Sequence, residues 1–186
     1  MTTSTPASRR LWSAGAPTLG TSQLFHFYAA VVLIQGIHVV EHIIQLAQVT
    51  LFGVPDDDAL GLLGYVFQFN GTEEWLHLVF NAAYVASLFV IVLTFHRMAG
   101  DRLLPGWAFT VLSAGVALES WHMVEHLVII WHVLRNSGCP CPGIGDRALD
   151  VTDTVLHFVY NAIAYAATVV PFWLLVRTPE SAGPKA

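Results

Sequence analysis

Residues 31–52 read VVLIQGIHVVEHIIQLAQVTLF, an apolar run that carries the motif His-x-x-Glu-His beginning at His38. The same motif returns at His122, again inside an apolar run. About 20 apolar residues are enough to cross the hydrocarbon core of a bilayer. Ionisable side chains are costly there, on the order of 2.5–3.5 kcal/mol each. Two copies of a pattern this costly to bury therefore indicate a site inside a membrane.

A second element also occurs twice, as LHLVFNA at 76–82 and LHFVYNA at 156–162. We interpret the chain as an internal duplication. The polar residues match between the copies while most apolar residues differ, which packing alone does not explain. The matched pairs are His38 with His122, Glu41 with Glu125, His42 with His126, His77 with His157, Asn81 with Asn161, Glu73 with Asp153, and Gln35 with Glu119.

The composition is that of a membrane protein. Hydrophobic residues make up 55% of the 186 residues and charged residues 11%, which lies outside the usual range for a soluble domain. The sequence predicts an all-α membrane protein, a four-transmembrane-helix bundle built from two parallel two-helix repeats. The four spans are expected at 24–52, 75–95, 107–134 and 155–176. No basic patch suggests nucleic acid as a partner, so the expected partner is the lipid bilayer.

The distribution of Lys and Arg sets the expected orientation. Most of these residues lie near one set of span ends, and basic residues favour the cytoplasmic side. Both termini are therefore expected to be cytoplasmic, in a bacterial-type plasma membrane. Each repeat returns to its starting side, so matched residues are expected at one depth. The predicted organisation is a disordered cytoplasmic tail at 1–22, repeat 1 at 23–98, repeat 2 at 99–177, and a second cytoplasmic tail at 178–186.

Each predicted span carries one polar stripe, because its polar residues recur three or four positions apart. Lipid does not solvate such stripes, so the four are expected to face one another. No Lys or Arg lies within a span to neutralise the glutamates, and a bound metal cation would supply that charge. The candidate metal ligands are His38, Glu41, His42, His77, His122, Glu125, His126 and His157. The candidate second-shell residues are Gln35, Glu73, Asn81, Glu119, Asp153 and Asn161.

The number of candidate ligands favours a dinuclear centre. Six His and two Glu are too many for one tetrahedral zinc, but they fit two ions that each take three His and one carboxylate. Imidazole and carboxylate suit several transition metals, and we expect two ions, with iron favoured and copper or zinc as alternatives. The predicted function is an oxidoreductase acting on a lipid-soluble substrate or oxygen, with a redox partner as a further candidate.

Two known patterns are similar to parts of this set. The His-x-x-x-His spacing at His38 and at His122 is similar to the His boxes of membrane desaturases and hydroxylases, which implies a di-iron centre. The paired-His box of those families is absent, so the similarity is one of chemistry only. His-x-x-Glu-His also formally resembles the inverted zinc-protease signature. That family uses one copy in a soluble domain, whereas this chain has two in apolar runs.

Two other functions remain open from the sequence, a cytochrome that holds haem b between paired His and a metal or proton transporter. Few polar groups are expected on the cytoplasmic side of His38, which favours a site open to the outside only. The remaining histidines and the two cysteines are expected at span boundaries and in a connection. His26, His96 and His132 are expected at the membrane interface, and Cys139 and Cys141 in the outer connection can be free thiols, an intermolecular disulfide or a surface metal contact.

Overall fold

The computed structural model describes residues 20–67, 73–98, 103–135 and 143–177, and these segments are all-helical, without a β-strand. Both predicted tails lie largely outside the described residues, and Cys139 and Cys141 lie wholly outside them. The helices are α1 (Thr21–Phe52), α2 (Gly61–Phe67), α3 (Glu73–Arg97), α4 (Gly106–Arg135), α5 (Ile144–Leu149) and α6 (Asp153–Arg177).

The four long helices begin and end within a few residues of the predicted spans. Three of them, over Ser22–Phe52, Trp75–Arg97 and Asp153–Arg177, are long and apolar enough to cross a membrane. The helix α4 is 30 residues long but is not among these three. Its mean hydropathy is reduced because it carries Glu119 as well as one complete His-x-x-Glu-His motif.

The long helices pack side by side, with α4 against both α3 and α6, and α1 against α6 and to a smaller extent α3. The short helices α2 and α5 lie in the connections that follow α1 and α4. We call this end of the molecule the α2/α5 end. Neither short helix was predicted from the sequence, because each is one or two turns long and too short to show a hydrophobic period.

Apolar packing dominates the opposite end. Leu24, Leu88, Ile91 and Leu112 belong to one buried core there and are at most 1% exposed. Large apolar side chains also cover the outward faces of the helices, including Leu33, which is 67% exposed. A surface of this kind is consistent with a lipid bilayer around the helices.

Candidate metal centre

The six predicted histidine ligands converge between the four long helices. Their rings form one group, called the His cluster below, which consists of His38, His42, His77, His122, His126 and His157. Ring centroids are 4.6 Å apart within the pair from α1 and within the pair from α4. The two halves of the chain meet where His42 lies 6.1 Å from His157 and His77 lies 5.7 Å from His126.

The second half of the chain supplies a compact three-ligand group. One nitrogen each of His122, His126 and His157 lies within 4.8 Å of the other two, and all three residues are buried, so this group can hold a metal ion. The Nε2 atoms of His122 and His126 are 3.3 Å apart. Two nitrogens bound to one tetrahedral ion at about 2.0–2.1 Å are themselves roughly 3.3 Å apart. The spacing of the α4 pair therefore fits a single shared ion.

The first half of the chain repeats part of this geometry. The Nε2 atoms of His38 and His42 are 3.2 Å apart. A cavity of about 10 Å³ lies beside this pair. It is lined by His38, Glu41, His77 and five apolar or glycine residues, Phe80 among them. That volume is close to the size of one water molecule. The third histidine, His77, is less tightly grouped, since its ring centroid is 5.3 Å from that of His42.

A hydrogen-bonding layer surrounds the three-ligand group. Nδ1 of His157 lies 2.8 Å from the backbone oxygen of Asp153 and 3.0 Å from its carboxylate Oδ1. A carboxylate on one imidazole nitrogen fixes the ring so that the other nitrogen can face a metal. The side-chain nitrogen of Asn161 lies 3.3 Å from Nε2 of His122, the same ring nitrogen that lies 3.3 Å from His126, and Gln35 donates a hydrogen bond of 2.8 Å to Asn161.

The two motif glutamates contact backbone N–H groups at the α2/α5 end. Oε2 of Glu125 accepts from the N–H of Ile144 at 2.7 Å, and Oε1 accepts from Gly145 at 3.0 Å. In the first half, Oε1 of Glu41 accepts from the N–H of Leu63 at 2.7 Å. A carboxylate is stabilised at a helix N-terminus, where N–H groups lack helical partners. Each glutamate therefore holds the first N–H groups of a short helix beside the His cluster. The sequence did not predict this role.

A glycine lies against each of these carboxylates. A Cβ added at Gly143 would lie 2.6 Å from Oε2 of Glu125, and one added at Gly61 would lie 2.6 Å from the carboxyl carbon of Glu41. Gly61 also has a φ of +68°, in the left-handed region that other residues avoid. The close approach of backbone to carboxylate therefore requires glycine at both positions.

We expect Gly61→Ala to destabilise the protein more than Gly53→Ala. Gly53 has a φ of +66° but nothing within 4 Å of its Cβ position, so alanine there should cost only the left-handed penalty of about 1–2 kcal/mol. At Gly61 the clash with Glu41 adds roughly 1–3 kcal/mol. Chemical denaturation of the two variants in detergent measures the difference. Equal losses would mean that the Glu41 carboxylate does not hold this position.

The structure describes only some of the other predicted second-shell residues. Asn81 and Glu119 are both 0% exposed, and none of their side-chain polar atoms has a hydrogen-bond partner among the described residues. Glu73 begins α3, but its side chain lies outside the part that the structure describes. Of the histidines predicted at the interface, His26 and His96 are exposed and His132 is half-buried.

One acid at the α2/α5 end has a perturbed pKa. Asp146 accepts a hydrogen bond of 2.8 Å from the N–H of Gly143. Burial, with a smaller contribution from the charge of Asp153, raises the pKa of Asp146 to about 6. The carboxyl group therefore remains mostly ionised at neutral pH.

The expectation of few polar groups on the far side of His38 is wrong. The hydroxyl of Tyr84 lies 2.6 Å from Oγ1 of Thr168, and Tyr28 donates a hydrogen bond of 2.8 Å to the backbone oxygen of Thr168. Their hydroxyl groups stand singly within apolar runs, so the sequence pattern does not mark them. Tyr28 and Tyr84 belong to the same buried core as Leu88 and Ile91.

Comparison with known proteins does not assign the chain to a family. No protein-family model matches it, and no curated protein or solved structure shows significant similarity to it. A function can therefore be argued only from the chemistry of the site itself. Within the described residues the structure is all-helical, and it contains three helices able to cross a membrane and a buried three-histidine group that can hold a metal ion.

Proposed function

We propose that this protein is an integral membrane metalloprotein whose His cluster holds two transition-metal ions and which acts as an oxidoreductase. The observation that carries the proposal is the buried group of His122, His126 and His157, whose ligand atoms lie within 4.8 Å of one another. Burying this many imidazole rings costs free energy unless their nitrogen atoms have a polar or charged partner. A cation bound among them provides that partner and keeps the rings neutral.

The charge balance of the interior supports a cation. Glu41 and Glu125 are 5% and 2% exposed. The Lys and Arg residues of the described long helices lie at helix ends, for example Arg97 and Arg177, and leave the level of the cluster without a basic side chain. Metal ions at that level would offset the buried carboxylates.

The corresponding distances in the two halves support a second ion. The α1 and α4 histidine pairs have Nε2 separations of 3.2 and 3.3 Å. His38 stacks on Phe80 with centroids 5.0 Å apart, and the centroid of His122 is likewise 5.0 Å from that of Tyr160. In this proposal the first ion binds the α4/α6 group. The second binds the α1 pair with His77, and Glu41 and Glu125 are ligands or supports at the outer edge.

The same correspondences support the membrane arrangement. In the proposal α4 is a fourth span, and the four long helices form a bundle of two parallel repeats. The α2/α5 end faces the outside, so the ions lie in the outer half of the bilayer and both termini are cytoplasmic. This orientation places the acidic connections outside and most basic residues inside, as the distribution of Lys and Arg favours.

Redox chemistry is the activity that we propose for this donor set. Imidazole with carboxylate suits iron, which we favour, and also copper or zinc. A bound iron or copper ion would supply one-electron chemistry. The chain itself supplies neutral imidazoles, a carboxylate at Asp153 that orients His157, and an apolar outer surface through which a lipid-soluble substrate or oxygen can approach. An external redox partner would complete the electron balance.

The geometry favours resident ions over the two alternatives. The histidine rings already lie with centroids 4.6 to 6.1 Å apart, and the adjoining cavity is about 10 Å³, which leaves no comparable space for haem b beside that pair. A metal or proton transporter needs a route to the opposite end. The buried core towards that end is mostly apolar and includes Leu88, Ile91 and Leu112, which disfavours a continuous polar route.

A redox titration followed by optical and X-ray absorption spectroscopy tests this function. The full chain, purified in detergent, should show a metal edge that shifts reversibly with potential, nitrogen neighbours at about 2.0–2.1 Å, and no Soret band. A Soret band would instead identify a cytochrome. A centre that contains only zinc and does not respond to potential would remove the oxidoreductase assignment while leaving the metal site.

A further inference from the structure

The burial of Glu119 and Asn81 is not explained by metal binding. Glu119 lies three residues before His122 on α4, which places it about one helical turn further from the α2/α5 end. Both residues are 0% exposed. Both carboxyl oxygens of Glu119 and both polar atoms of Asn81 have no hydrogen-bond partner within the described ranges. Buried polar groups are rarely left in this state.

The corresponding pair in the other half of the bundle is satisfied. Gln35 matches Glu119 in the sequence repeat, and Asn161 matches Asn81. There the amide of Gln35 donates a hydrogen bond of 2.8 Å to the side-chain oxygen of Asn161. The helices α3 and α4 pack against each other as α1 and α6 do. The proposed repeat therefore brings Glu119 and Asn81 together, with a carboxyl group where the first pair has an amide.

An ionised Glu119 would be costly at this position. A carboxylate removed from water without a counter-charge loses several kcal/mol of solvation, so the group takes up a proton instead. A protonated carboxyl offers one O–H donor and one carbonyl acceptor. Asn81 offers an acceptor oxygen, as Asn161 does to Gln35, so a protonated Glu119 can donate its O–H to it. A proton on Glu119 thus replaces the donor that Gln35 supplies in the other half.

We propose that Glu119 and Asn81 form a buried proton-binding site beside the His cluster, with the carboxyl group held neutral by its pairing with Asn81. The inference rests on the repeat arrangement in the proposed function. It adds a site that binds a proton and no metal. Its proton lies about one helical turn from a metal ligand, on the side of the cluster away from the α2/α5 end.

Infrared spectroscopy tests this site in the full chain at pH 7. The wild-type protein should show the carbonyl stretch of a protonated carboxylic acid, and this band should shift when glutamate carries ¹³C. Asp146, with a pKa of about 6, contributes little at this pH. Glu119→Gln should remove the band, whereas Asp150→Asn, at an exposed acid, should leave it unchanged.

The outcomes separate this proposal from the metal proposal. Glu119→Gln should keep the metal content of the wild type, so loss of the band with metal retained supports the site. A wild-type spectrum with carboxylate stretches only, or an acid band that survives Glu119→Gln, would overturn it. So would a carboxylate band that shifts when Na⁺ replaces K⁺, because that identifies a metal-cation site. If that variant does not fold, Asn81→Ala should shift the frequency of the acid band because the carboxyl group loses its acceptor, and a band unchanged in Asn81→Ala would overturn the proposal.

Discussion

Replacing His126 with alanine should lower metal affinity by more than about 100-fold, because loss of a residue that only orients a ligand already costs roughly 10- to 100-fold. His126 belongs to the three-ligand group and lies 3.3 Å, Nε2 to Nε2, from His122. Without it, two nitrogens of that group remain, too few for a closed tetrahedral site. Metal titration of the purified variant, followed by calorimetry or a competing chelator, measures the loss.

His132→Ala is the matched control for this variant. His132 lies on the same helix, α4, but it is half-buried and lies outside the His cluster. Its removal should leave metal affinity within about twofold of the wild type, as a change away from the ligands and their hydrogen-bonding neighbours should. Equal affinities in His126→Ala and His132→Ala would show that the three-ligand group does not bind the metal.

Replacing Glu125 with alanine should destabilise the protein by about 3 kcal/mol, since hydrogen bonds to a charged group contribute roughly 1.5–3 kcal/mol each. The carboxylate of Glu125 accepts from the N–H groups of Ile144 and Gly145. Without it these donors lose their partner, and α5 loses its attachment to α4. Denaturation in detergent measures the global effect. Amide hydrogen exchange should accelerate selectively over 144–149.

Asp150→Asn is the control for charge. Asp150 is exposed and has a φ of +53°, a conformation that asparagine tolerates as well as aspartate does. This variant should change stability by less than about 0.5 kcal/mol. If Glu125→Ala loses metal but keeps the wild-type exchange rates over 144–149, the carboxylate acts as a ligand and not as a support for α5.

The long helices were predictable because their signals extend over many residues. Apolar runs fixed α1, α3 and α6 to within a few residues, and the positions of His38 and His42 on one helical face indicated which side of α1 points inward. The convergence of the six histidines also followed from these faces. That information depends on local spacing, which the sequence displays directly.

The connections were not predictable, because their structure depends on contacts between residues that are distant in sequence. The helix α5 exists because Glu125, some 20 residues earlier in the chain, accepts its first N–H groups, and no local pattern encodes a contact of that kind. The sequence assigned Glu125 to the metal because a buried carboxylate beside two histidines is a common ligand. The sequence does not show the backbone N–H groups that compete with a metal ion for this carboxylate. The hydroxyl contact between Tyr84 and Thr168 likewise joins two helices that are distant in sequence.

The metal content of the purified full chain tests the central claim most directly. Elemental analysis by mass spectrometry should find a transition metal at close to two ions per chain. Chelation should remove the metal and lower the unfolding temperature, because a ligand that binds only the folded state stabilises it. A ratio near one would retain the group of His122, His126 and His157 and exclude the second ion. Protein without stoichiometric metal, and with stability unchanged by chelation and by added iron, copper or zinc, would contradict the account.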